Sequence, residues 1–227
     1  MVYKITLALL LFCFNGAEAQ AVQEKQDRMT FNRMDAEIED QCGMAMHVPD
    51  LKDVYDTPLA FGCIGPYKSG DRAILSMDFE YDPNEHCGGS RLTFVVENVG
   101  IFEKMRRGKD STFVFDGVEK RPRLSAGAAF GESNCGAATN VTVSPIQGSN
   151  WQGWIAEEKF ARVRTRCRPF KEFTSNYRCI HVMIGNRTMT AQLTGVCLLR
   201  RRESDLENGL SYDIFYEMLK SLKFKSD

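Results

Sequence analysis

The stretch "AILSMDFEYD", Ala73 to Asp82, alternates without a break. Leu75, Met77, Phe79 and Tyr81 form an apolar row, and Ser76, Asp78, Glu80 and Asp82 form a polar one. A period of two is that of a strand with one dry face and one wet face. Turn residues bracket it, "KSGD" before and "DPNE" and "CGG" after, so the chain reverses at both ends.

The same pattern recurs downstream. "RLTFVVENV" reads as a second strand, with Leu92, Phe94 and Val96 inward. "STFVFDGVEKRPR" reads as a hairpin turning tightly at Asp116-Gly117. Ser125 to Asn150 is rich in Gly, Ala, Ser and Asn and predicts loops around one short strand, Thr139 to Val143. Three long strands are expected at Trp154–Arg166, Tyr177–Ile184 and Met189–Leu199, the last two joined by a turn at "GNRT". The chain closes on a helix over Tyr212–Leu222, with Ser211 as its N-cap. Ile214, Phe215, Met218, Leu219 and Leu222 form its apolar face. A weaker amphipathic helix is expected around Met29–Asp40. The expected fold is therefore α+β: a mainly antiparallel sheet with the C-terminal helix packed on it, a weaker N-terminal helix, and disulfide staples.

"MVYKITLALLLFCFNGAEAQ" has the parts of a secretory signal peptide: Lys4, an apolar run from Ile5 to Phe14, and Ala17-Glu18-Ala19. Cleavage after Ala19 is expected, and the apolar run is too short to span a bilayer, which takes about 20 residues. The expected organisation is a signal at 1–19, a polar and partly helical segment at 20–41, and one α+β domain at 42–227. A split near Ser144–Asn150, where "SPIQGSN" resembles a linker, is the alternative. The protein is expected to be periplasmic or extracellular, with no membrane span.

Cys13 leaves with the signal, and of the other seven of the eight cysteines six are expected in disulfides, with one odd cysteine. The expected pairs are Cys42–Cys63, Cys87–Cys135 and Cys167–Cys179, with Cys197 left over. Whether Cys179 takes Cys167 or Cys197 is open at this stage. Net charge is −1, unlike the strongly basic balance of a general nucleic-acid binder, so no nucleic-acid partner is expected.

"FARVRTRCRPF" places Arg162, Arg164 and Arg166 on alternate positions, with Arg168 beside Pro169. On a strand the first three would share one face about 6.5–7 Å apart, a fork of donors suited to phosphate, sulfate or carboxylate. The competing reading is a wet strand face paired with the acidic row Asp78, Glu80 and Asp82, and that pairing is preferred. Trp151, just upstream, is a candidate partner-stacking residue. Lys104, Arg106, Arg107 and Lys109, and Arg200 to Arg202, read as solvated loops. Asn140 in "NVT" and Asn186 in "NRT" are glycosylation sequons, though chance explains two such triplets equally well.

Enzyme signatures are missing. There is no G-x-S-x-G elbow, no HExxH and no CxxC, and "GAAFGESNCG" lacks both the P-loop lysine and the dinucleotide spacing. The histidines are His47, His86 and His181, and the spacing of Asp78, Glu80, Asp82, Glu85 and His86 is not that of a calcium loop. No cofactor and no metal are expected. The function these features favour is a non-catalytic exported domain that binds another protein or an anionic envelope component, with an inhibitor or immunity-type protein as one form. The alternatives are an envelope hydrolase with an unrecognised site, using Cys135 with His86 or His181, and anionic-polymer binding through the arginine face.

Overall fold

A computed structural model describes residues 30–49, 60–65, 72–78, 91–118, 121–129, 136–163, 177–200 and 210–225. Seven strands make one antiparallel sheet: β4 (Ala60–Ile64), β5 (Arg72–Asp78), β6 (Arg91–Glu97), β9 (Gly136–Gln147), β10 (Gln152–Val163), β11 (Tyr177–Gly185) and β12 (Thr190–Leu199). Their order across the sheet is β4-β5-β6-β12-β11-β10-β9. Two meanders, β4 to β6 and β9 to β12, thus meet where β12 pairs with β6. Three short pairs complete the strands: β1 (Phe31–Arg33) with β3 (His47–Pro49), β2 (Met44–Ala45) with β13 (Lys223–Phe224), and β7 (Phe113–Asp116) with β8 (Arg121–Leu124).

The alternation in β5 is borne out: Ala73, Leu75 and Met77 are buried, while Ile74 and Ser76 are half-exposed. These three join Leu92, Phe94 and Val96 of β6 and Ile180, Val182 and Ile184 of β11 in the main core. Helix α3 (Tyr212–Ser221) closes this face with the apolar residues its sequence showed, and Leu222 after it is buried too. Its cap is Ser211, whose Oγ accepts from the Ile214 amide at 3.3 Å. The opposite face carries a smaller core of Ile101, Met105, Phe113, Leu124, Ala156 and Met183. It lies beneath helix α2 (Ile101–Arg107) and the β7–β8 hairpin.

Several expectations are corrected. The N-terminal helix, α1, covers only Ala36–Cys42. Phe31–Arg33 pairs as a strand with His47–Pro49 instead, and Asp35 starts the helix by accepting from the Glu37 amide at 2.8 Å. The basic segment read as a loop at Lys104 to Arg107 is helix α2. The region expected to hold one short strand is β9, twelve residues long, and "SPIQGSN" is the end of β9 and the turn into β10 rather than a linker. The β7–β8 connection is longer than a two-residue turn, because Asp116 pairs with Arg121. The turn at Gly185–Thr188 holds, with the Asn186 carboxamide oxygen accepting from the amides of Thr188 and Met189 at 2.9 and 2.8 Å.

Cys42–Cys63 forms as expected and ties α1 to β4. Cys179, however, bonds Cys197 rather than Cys167. The two are directly opposed partners of β11 and β12, on the same face of neighbouring strands. The expected Cys167–Cys179 pair is therefore excluded and Cys197 is not the odd cysteine. Cys87, Cys135 and Cys167 lie outside the described residues.

Candidate partner-binding surface

The sheet order answers the question of the two ladders. β5, which holds Asp78, and β10, which holds Arg162, are separated by β6, β12 and β11. β5 is already paired on both sides, by β4 and β6. Cross-strand pairing of the acidic and arginine rows is thereby ruled out between these strands. Glu80 and Asp82 lie outside the described residues, as do Arg164, Arg166 and Arg168. At Arg162 the backbone pairs with Ala137, and register shifts flank Phe160. A bulge puts an extra residue on one strand and disturbs strict alternation, so the expected unbroken run from Trp154 to Arg166 is interrupted. Trp151 is a core residue, 6% exposed, whose indole N–H donates to the Leu222 carbonyl at 2.8 Å. It anchors the end of α3 and offers no stacking face to a partner.

A cationic and aromatic strip that the sequence reading missed lies on the α3 side of the sheet. Arg178 of β11 places its guanidinium 3.8 Å from the centre of the Tyr212 ring. Tyr212 stacks on Tyr216, with centroids 5.9 Å apart and planes 12° apart, and the Lys220 ammonium lies 4.8 Å from the Tyr216 ring. Tyr212, Tyr216 and Lys220 recur every four residues, so α3 lines them along one flank. Both tyrosines are half-buried, and Lys220 is exposed. That spacing was legible in the sequence as a polar flank beside the apolar one. Its cationic neighbour on β11 was not, because only the fold brings Arg178 to Tyr212.

The strip is fixed at its base. Arg178 donates to Glu157 Oε2 from Nε and Nη2 at 3.2 and 2.8 Å, and Arg200 donates to Oε1 at 3.2 Å. Burial pushes the Glu157 carboxyl up, but Arg178 and Arg200 outweigh it and hold the group below its ordinary range. Burial likewise raises the Tyr212 phenol, and the Glu217 hydrogen bond raises Lys220. One carboxylate thus faces two guanidinium groups at this end of β10, β11 and β12. The other basic cluster is absorbed elsewhere. Lys104 is buried against Glu97 at 2.6 Å, and Arg106 and Arg107 both bind Glu103, holding its carboxyl at about 2.

On the opposite face, His181 and Glu158 meet. The Gly195 amide donates to His181 Nδ1 at 3.0 Å, which leaves Nε2–H to donate to Glu158 Oε1. Gly195 has φ +63° at a register shift in the β11–β12 ladder, so a left-handed glycine aims that amide at the ring. Both side chains are 0% exposed. A general base must come within hydrogen-bond reach of its substrate, and a sealed pair has no such reach. Cys179, opposite Glu158 in the ladder, is held in its disulfide. Among the described residues, no three His, Cys, Asp or Glu side chains gather as a metal site, and no helix is long and apolar enough to cross a membrane.

No protein-family model, curated protein or solved structure matches the chain.

Proposed function

We propose that the chain is a non-catalytic exported binding protein, whose partner is another protein seated on the strip Arg178–Tyr212–Tyr216–Lys220. The observation that carries this reading is the strip itself. Tyrosine and arginine are the residue types that dominate binding hot spots, and here they are pre-stacked, half-exposed and anchored to the sheet. The two disulfides among the described residues fit an oxidising compartment, in keeping with a cleaved signal and a periplasmic or extracellular location. An inhibitor or immunity-type role suits a patch of fixed charges, since complementary charge speeds encounter with the right partner and rejects wrong ones.

The test is affinity capture by the mature oxidised protein from its native surroundings, run beside Tyr216→Ala and Lys220→Glu. The expected result is a partner held by the wild type and lost with Lys220→Glu. Turnover on a substrate panel with no partner recovered would overturn the reading. A second reading, an anionic envelope polymer as partner, is favoured by the alternating Arg162, Arg164 and Arg166 of the sequence. It predicts polymer binding that falls steeply with salt and is weakened by replacing Arg162, Arg164 and Arg166 with Gln.

A further inference from the structure

We propose that Asn140 carries an N-linked oligosaccharide, and that the sugar shields the outer edge of the sheet. Asn140 belongs to the sequon Asn140-Val141-Thr142, and all three residues are exposed at the middle of β9. Among the described residues β9 is an edge strand, paired only with β10. Edge strands invite pairing by other chains, and proteins blunt them with charge, proline, bulges or a cover. β9, "GAATNVTVSPIQ", has no charged residue over twelve positions, and its single proline, Pro145, stands near one end. Val141, beside Asn140, is 37% exposed. A bulky hydrated sugar at Asn140 supplies the protection that composition leaves out.

The second sequon differs. Asn186 lies in the tight turn before β12, its carboxamide oxygen accepts from Thr188 and Met189, and its carbonyl accepts from the Ile101 amide at 3.1 Å. The start of α2 presses on this turn, since a Cβ at Gly100 would come within 2.1 Å of the Arg187 carbonyl oxygen. Asn140 has the open setting and Asn186 the crowded one.

In the transfer, the Asn140 carboxamide nitrogen bonds to the anomeric carbon of an oligosaccharide carried on a lipid diphosphate. The bond from that carbon to the diphosphate oxygen breaks, the lipid diphosphate leaves, and the nitrogen gives up one proton.

The native protein, isolated from the cells that secrete it, is weighed intact before and after peptide N-glycanase, and its peptides are mapped. Loss of sugar mass with Asn140 converted to Asp is the expected result. In the same cells Asn140→Gln and Thr142→Ala each abolish the Asn140 shift, Thr142→Ser keeps it, and Asn186→Gln leaves it in place. Enzymatically deglycosylated protein is expected to self-associate more readily in light scattering. A native chain without sugar, or a shift that survives both Asn140→Gln and Thr142→Ala, overturns the proposal.

Discussion

Gly195 shows how one residue sets a local chemistry. Its left-handed backbone at a bulge in the β11–β12 ladder turns an amide toward His181, and that hydrogen bond fixes the imidazole tautomer facing Glu158. Gly195→Ala puts a Cβ into a conformation that costs roughly 1–2 kcal/mol, and urea unfolding is expected to register a loss of that size. Replacing His181 alone with Leu takes from the buried Glu158 carboxylate its hydrogen bond from Nε2, for which the cost is about 3–5 kcal/mol. Replacing Glu158 and His181 together with Leu is expected to recover only part of that loss, because both buried polar side chains are gone but the Gly195 amide has lost its acceptor. If the double variant were as damaged as the single one, the pair would have a role beyond mutual satisfaction. Neither residue was legible as a pair in the sequence. They stand 23 positions apart, and only the β10–β11 register brings them together. Trp151 misled for a related reason: nothing local shows that Leu222, 71 positions away, offers the carbonyl that its indole needs.

At the scale of elements, the signals that survived were local and periodic. α3 was readable because its cap and its 3.6-residue apolar row agree, and β5 because its alternation is unbroken. Ser211→Ala should therefore cost about 1 kcal/mol in thermal or urea unfolding, whereas Ser211→Asp, which can accept the same amide hydrogen bond, should retain most of the stability. Equal losses in the two variants would mean that the Oγ contact contributes little. α2 escaped notice because it has only seven residues, its three apolar ones split between buried Ile101 and Met105 and exposed Phe102, and one of its charges is buried. Lys104 lies inside with Glu97, which also accepts from Gln192 at 3.3 Å. A lysine in a basic run carries no mark of burial when its counter-ion stands on another strand. β9 was expected only over Thr139 to Val143, because small, uncharged residues resemble a loop until β10 is laid beside them.

Across the whole molecule, stability depends on staples and charges that link distant parts. The Cys179–Cys197 bridge closes 18 residues between neighbouring strands, and removing it with a double alanine variant should cost about 3 kcal/mol by loop-entropy reasoning. Non-reducing peptide mapping is expected to recover Cys179 joined to Cys197, and recovery joined to Cys167 would contradict the β11–β12 register. Acid should act on the same scale. Arg33 hydrogen-bonds to Glu39 across the β1–α1 junction and holds that carboxyl below its ordinary value of 4.5, against the opposing effect of burial. Glu157 is lowered in the same direction between β10, β11 and the end of β12. A carboxyl with a depressed folded pKa binds fewer protons folded than unfolded, so stability rises with pH through that interval. The contribution is fully present above 4.5 and is lost as pH falls through the folded values. Urea midpoints are thus expected to hold steady from pH 7 to 5 and to decline below 4.5. Glu157→Gln should start from a lower midpoint and show a shallower decline. Glu103, exposed and held at about 2, adds little because solvent screens its two arginines. A wild-type midpoint that rose between pH 5 and 3 would mean that the carboxylates cost stability where their geometry says they supply it.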